Sequence, residues 1–372
     1  MLALDGIASA IEATLQRLFD SSPILELSPS DKLVVVSDLH LGDGSSSDDF
    51  LSNGELLTDV LRRFYLLRDF SLVLNGDIEE LQRFPFEAIM ERWQVLYKLF
   101  RQFAARTAVY RVVGNHDAAL WHFDKHSLSQ PLLASLRLSF GRDTIFLFHG
   151  HQATIFFERF NDVSGFFLRH FANRLNIRNI PVHYESTKRY RTEHRVYTFS
   201  SARKIVSIIG HTHRPLFESL SKIDTLKFRI EQLCRDYPAV SPRARLAIEK
   251  VVEGYKSELK RLWEKDRREG MRSGLYNEHL SVPCLFNSGC AIGKRGLTAI
   301  EIAEGQISLV HWFDRRRSSK YLDNGNGRAG RRVGDFPTKS SEVQRLDETE
   351  YYRTVLKKDR LEYVFSRIKL LA

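Results

Sequence analysis

Five short runs of branched and aromatic residues recur along the chain, and each stops at a polar residue able to hold a cation or a proton: KLVVVSD from 32, LVLNGD from 72, AVYRVVGN from 108, TIFLFHG from 144 and KIVSIIGH from 204. Continuous apolar runs of this length, bounded by Gly, Asp and Asn, read as strands buried on both faces. The segments between them, such as 54–68 and 86–104, space apolar residues three and four apart and read as helices. Strand alternating with helix predicts a layered α/β sandwich with mixed sheets. Three later runs, VPCLFNSG from 282, LTAIEIA from 297 and ISLVHWF from 307, leave no room for helices and read as an antiparallel meander closing a sheet.

Four stretches divide the 372 residues. An amphipathic helix is expected in 1–30. Residues 31–215 and 282–315 would form the α/β domain, interrupted by a helical insertion over 216–281, whose apolar residues at 246, 248, 251, 252, 255, 259, 262 and 263 make one stripe among charges. Residues 316–372 begin with a basic stretch rich in Gly, Ser and Asn, expected to be flexible, and close with a charged helix over about 341–370.

A net charge of +10 favours an anionic partner, whether a phosphorylated substrate, nucleic acid or an anionic membrane surface. Cys234, Cys284 and Cys290 form no CxxC pair and would leave one thiol over in any disulfide scheme, so the cytoplasm is the expected compartment. The opening MLALDGIASA lacks the basic start of a secretion signal. No apolar run is long enough to span a bilayer, which leaves a soluble protein or one held peripherally at the inner face of a membrane.

The strand ends carry the chemistry. Asp38 and His40 follow the first run, Asp77 the second, Asn115, His116 and Asp117 the third, His149 the fourth, and His211 and His213 the fifth. Functional groups gather beyond the carboxyl ends of strands in open α/β sheets, so residues far apart in sequence can form one cluster. Carboxylates, imidazoles and an amide without thiolates suit divalent Mn, Fe or Zn and suit calcium poorly. His211 and His213 lie two apart, and on a strand such residues leave the same face. Gly210 before them suits a close approach to the backbone.

In order, DLH, GDIEE, GNHD, HGH and GHTH resemble the motif set of the calcineurin-like metallophosphoesterase superfamily, with FNSG from 286 similar to a later structural motif. The resemblance implies a four-layer α/β/β/α sandwich and a hydrolase with two divalent ions, manganese first and iron or zinc as alternatives. Asp38, His40 and His213 would bind one ion, Asn115, His149 and His211 the other, and Asp77 would bridge. Two cations about 3.5–4 Å apart lower the pKa of a shared water and stabilise the attacking and leaving oxygens at phosphorus. His116 resembles the family's catalytic histidine, a proton donor to the leaving oxygen, with Asp117 orienting it. His122 and His151 have no such role.

The motifs specify the cations and not the substrate. SDLHLGD and GHTHRP are similar to the UDP-2,3-diacylglucosamine pyrophosphatases, although that branch carries Arg at the position of His116 and places its insertion before GHTH. A phosphorylated small molecule or nucleotide-linked lipid is the expected substrate. Action on nucleic acid is the alternative, and a non-catalytic scaffold the third reading. Lys188, Arg189 and Arg191 are candidate phosphate contacts. The phenylalanines at 156, 157, 160, 166, 167 and 171, among Arg159, Arg169 and Arg174, read as core or as an apolar lid or membrane-facing surface.

Overall fold

The structure is a computed structural model that describes residues 2–122, 131–154, 186–219, 226, 230, 233–234, 237–268, 282–293, 295–318 and 343–372. In chain order the elements are α1 (Leu2–Ser21), β1 (Ile24–Glu26), β2 (Leu33–Val36), α2 (Gly54–Val60), β3 (Ser71–Asn75), α3 (Phe86–Arg92), α4 (Gln94–Arg106), β4 (Val109–Val112), β5 (Leu132–Leu133), β6 (Ser135–Phe140) and β7 (Asp143–Phe148). There follow α5 (Ser186–Arg203), β8 (Val206–Ile209), α6 (Pro242–Arg268), β9 (Leu285–Asn287), β10 (Leu297–Ala303), β11 (Gln306–Asp314), β12 (Val343–Arg345), β13 (Tyr351–Arg360) and α7 (Leu361–Leu371).

Two mixed sheets stack between helices. One runs β12-β13-β11-β10-β2-β3-β4-β5 and the other β1-β6-β7-β8-β9. Residue alternation along β2 and β3 makes the layers. Val34, Val36, Leu72 and Leu74 pack with Leu57 and Val60 of α2 and Leu96, Phe100 and Phe103 of α4, while Leu33, Val35 and Val73 join the cluster of Leu147 and Ile208 from the second sheet. On the far side Phe146 meets Phe19 of α1 at 5.2 Å and Phe199 of α5 at 6.2 Å. The order helix, sheet, sheet, helix is the expected four-layer sandwich. Each fully buried aliphatic side chain here contributes about 1.5–3 kcal/mol.

Several expectations change. The helix over 54–68 is α-helical only to Val60 and continues as a π turn over Leu61–Tyr65 and a 3-10 turn over Leu66–Arg68. The helix over 86–104 breaks at Trp93, whose indole N–H donates to Gly42 O at 2.9 Å while its ring packs against Phe50. The meander is real for β10 and β11, which are antiparallel, but β9 lies in the other sheet, parallel to β8. The charged helix expected over 341–370 is helical only over α7. Residues 351–360 instead form β13, antiparallel to β11, so the sheet extends past 315. Pairing also continues beyond 216, where Leu216 bridges Asn287 and Ser219 N–H donates to Leu285 O at 2.8 Å. No helix among the described residues is long and apolar enough to cross a membrane.

Candidate metal centre

The loops after β2, β3 and β4 of one sheet and after β7 and β8 of the other meet at the carboxyl ends of parallel strands. Asp38, His40, Asp77, His211 and His213 have φ between +50° and +62°. That left-handed backbone costs a non-glycine residue about 1–3 kcal/mol and persists only where neighbours over-determine it. Here the first two loops zip together: Asp38 N–H donates to Gly76 O, His40 N–H to Asp77 O and Glu80 N–H to Leu41 O, each at 3.0 Å. His211 N–H donates to both oxygens of Asp38, at 3.1 and 3.0 Å.

β8 ends at Ile209, so strand alternation is not what aims the two histidines. A left-handed residue at each position sends His211 to Asp77 and His149, and His213 to Asp38 and His40. The approach expected at Gly210 is that of Asp38: a Cβ there would stand 2.5 Å from its Oδ2. At Gly114 a Cβ would stand 2.2 Å from Asp77 Oδ1. Both glycines let a carboxylate lie against the backbone.

Two groups of ligand atoms result, Asp38, His40 and His213 in one and Asp77, His149 and His211 in the other, each within 4.8 Å. His213 Nε2 lies 3.0 Å from Asp38 Oδ1 and 3.2 Å from His40 Nε2. His149 Nε2 lies 3.0 Å from Asp77 Oδ2, and that oxygen is 4.0 Å from His40 Nε2. Asp77 Oδ1 accepts the His116 N–H at 2.8 Å, so one oxygen of Asp77 faces both groups. His149 Nδ1 donates to Asn75 O at 2.9 Å and His40 Nδ1 lies 3.0 Å from Glu80 Oε2, which leaves each Nε2 for a cation.

The donor set fits divalent metal. Asn115 Oδ1 and His211 Nε2 are buried with no hydrogen-bond partner, an unfavourable state for acceptors unless a cation takes the lone pairs. Burial pushes His149 and His213 down, but Asp77 beside the first and Asp38 beside the second outweigh it, raising them to about 9 and about 10. Burial and the neighbouring His149 push His211 down to about 3.

His116 departs from its expected neighbourhood in one respect. Its Nδ1 lies 2.9 Å from the Glu80 carboxylate, and its ring packs edge-on to His40 at 4.7 Å between centroids. Asp117, expected to orient it, instead accepts the backbone N–H groups of Gly114 and Ile78 at 2.6 and 2.8 Å. Burial, with Asp77 and Glu79 nearby, raises Asp117 to about 7. Asp117 shapes the GNHD turn, and Glu80 holds the ring. His40, Asp77 and His116 also bring ligand atoms within 4.8 Å of one another.

The calcineurin-like phosphoesterase family model matches residues 32–215, the span containing every residue of both groups. Residues 32–215 belong to the calcineurin-like phosphoesterase family. Among solved structures, a conserved uncharacterized protein and predicted phosphoesterase from Streptococcus pneumoniae TIGR4 is 12% identical, with 76% of this chain and 89% of that one covered and a TM-score of 0.28. No curated protein matches the sequence.

Other parts of the phosphoesterase site surround this centre. Glu80 has no site role in the sequence reading. Its carboxylate lies between two rings 76 residues apart in the chain, and those rings hold it down at about 2 against burial. The only signal was the second Glu of GDIEE. The FNSG segment backs the histidine turn: Asn287 Nδ2 donates to Gly210 O and Thr212 Oγ1, both at 2.9 Å, and Ser288 Oγ meets Ser37 Oγ at 2.7 Å. Of the expected phosphate contacts, Arg191 is exposed and Arg189 half-buried on α5. The Lys188 side chain lies outside the described residues, as do Phe156, Phe157, Phe160, Phe166, Phe167 and Phe171 with Arg159, Arg169 and Arg174. His151 sits beside the second group, 5.5 Å from His149 between ring centroids, and His122 is exposed.

Proposed function

We propose that this phosphoesterase uses two divalent cations, with manganese the first choice, to hydrolyse a phosphorylated small molecule or nucleotide-linked lipid. The observation that carries the reading is Asp77 Oδ2 facing a ligand group on either side. Asp38, His40 and His213 would hold one cation, Asn115, His149 and His211 the other, and Asp77 both. When bound, the pair would lower the pKa of a shared water and stabilise charge at phosphorus. His116, anchored through Nδ1 on Glu80, presents Nε2 as the proton donor to the leaving oxygen. Asp77 and Glu80 raise its pKa against burial, which favours the protonated ring. The count and spacing of the cysteines support a cytoplasmic setting, and the net charge of +10 supports an anionic substrate or peripheral membrane contact.

Exhaustive metal removal, verified by elemental analysis, is expected to abolish hydrolysis of p-nitrophenyl esters, and Mn²⁺ to restore it. Full activity in the stripped protein refutes the reading. The same preparation tested on a UDP-linked lipid and on single- and double-stranded DNA separates the substrate classes, since a nucleic-acid substrate brings a steep loss of binding with salt.

Cation binding is also expected to release protons. His149 and His213 carry protons at neutral pH in the metal-free protein, with pKa values of about 9 and about 10, and a cation on Nε2 must displace them. Affinity for Mn²⁺ should therefore rise with pH through the neutral range and fall in acid. Calorimetry at pH 7.5 in buffers of different ionisation enthalpy should find about two protons released per pair of cations. No buffer dependence would contradict the assignment of these two ligands.

A further inference from the structure

We propose that Glu193 is a positioning residue that sets the metal-binding turn 211–214, an inference resting on the reading of His211 and His213 as cation ligands. Glu193 is fully buried on α5 and belongs to neither of the ligand groups that contain His211 and His213. It holds what lies between and after them. Thr212 Oγ1 donates to Glu193 Oε1 at 2.7 Å, Arg214 Nε donates to the same oxygen at 3.1 Å, and Arg214 Nη2 pairs with Oε2. Thr212 Oγ1 also accepts Asn287 Nδ2 at 2.9 Å. Its single proton is thus committed to Glu193, and the turn is strung between the end of β9 and α5.

The need for such a hold follows from the backbone. His211 and His213 stand at φ +62° and +54° on either side of Thr212, and an unrestrained turn would relax toward ordinary φ values. Relaxation at either histidine swings a ring out of its ligand group. The same helix also grips the loop after β7, where Arg195 Nη1 donates to Ala153 O at 2.9 Å. From outside the centre, α5 therefore braces the two loops that carry His149, His211 and His213.

Mn²⁺ titration of the full chain, with stoichiometry by elemental analysis and hydrolysis of bis-p-nitrophenyl phosphate, tests this. Glu193→Ala should still fold and reach two cations at saturation, with affinity weakened about 10–100-fold and the rate recovered by excess Mn²⁺. Glu193→Gln keeps an acceptor for Thr212 and should lose less. If Glu193→Ala does not fold, Thr212→Val, of nearly equal shape, should weaken Mn²⁺ binding in its place. A role confined to holding the fold would lower melting temperature and rate together, without rescue by Mn²⁺, and would overturn the inference. So would wild-type Mn²⁺ affinity in Glu193→Ala, or in Thr212→Val where that variant stands in. A wild-type chain that takes up no cation overturns the ligand reading, and this inference with it.

Discussion

His116→Ala should retain both cations and lose hydrolysis of alkyl phosphoesters by about 10²–10⁴-fold, the range for a positioned acid. The His116 ring is held at Nδ1 by Glu80, and its side chain keeps 18% exposure where most of the centre is buried. Nε2 is thus the atom free to meet substrate. Asp77 and Glu80 raise the ring's pKa although burial opposes them, which favours the protonated form. A p-nitrophenolate leaving group scarcely needs a proton, so its loss should be much smaller than that of an alkoxide, and comparing the two isolates proton donation from charge stabilisation. The metal content of the variant decides a second point. His116 also has a ligand atom within 4.8 Å of those of His40 and Asp77, and loss of one cation would make it a ligand. Near-normal rates on every ester would remove its catalytic role.

Arg111→Ala is expected to destabilise the protein by about 3–5 kcal/mol, the cost of leaving a buried charge without its partner. Arg111, on β4, and Glu79, in the loop that carries Asp77, are 2% and 0% exposed. The Arg111 guanidinium pairs with one oxygen of Glu79, and the Tyr97 hydroxyl donates to the other. The buried pair anchors the GDIEE loop to the sheet. Total stability of a domain is commonly about 5–15 kcal/mol, so a loss of this size should appear as a large drop in urea midpoint. Arg111→Met combined with Glu79→Leu should recover much of it, because an apolar pair of similar size needs no counter-charge. An Arg111→Ala variant within about 0.5 kcal/mol of wild type, as for an ordinary surface change, would mean that the pair does not hold the loop.

The sequence by itself determined the strand runs, their order, the polar residue at the end of each, and hence the family and most of the residues gathered around Asp77. These were legible because burial on both faces demands continuous apolar runs, and because parallel strands deliver their carboxyl ends to one edge. Other features were decided only by the tertiary structure. YYRTVLKKDR, residues 351–360, has the charge of a solvated helix, and only Tyr351 and Thr354 are buried along it. It becomes a strand because β11 offers an unpaired edge, something no local pattern encodes. The backbone at His211 and His213 is left-handed because Asp38, Glu193 and Asn287 hold the turn from outside, so strand alternation is not what separates the two rings. GDIEE shows the same division at its smallest scale. Glu79 and Glu80 are adjacent and chemically identical, yet one is the buried partner of Arg111 and the other holds the rings of His40 and His116. Which does which depends on what lies on each side of the loop, and residues from 18 to 40 positions away bring those surroundings.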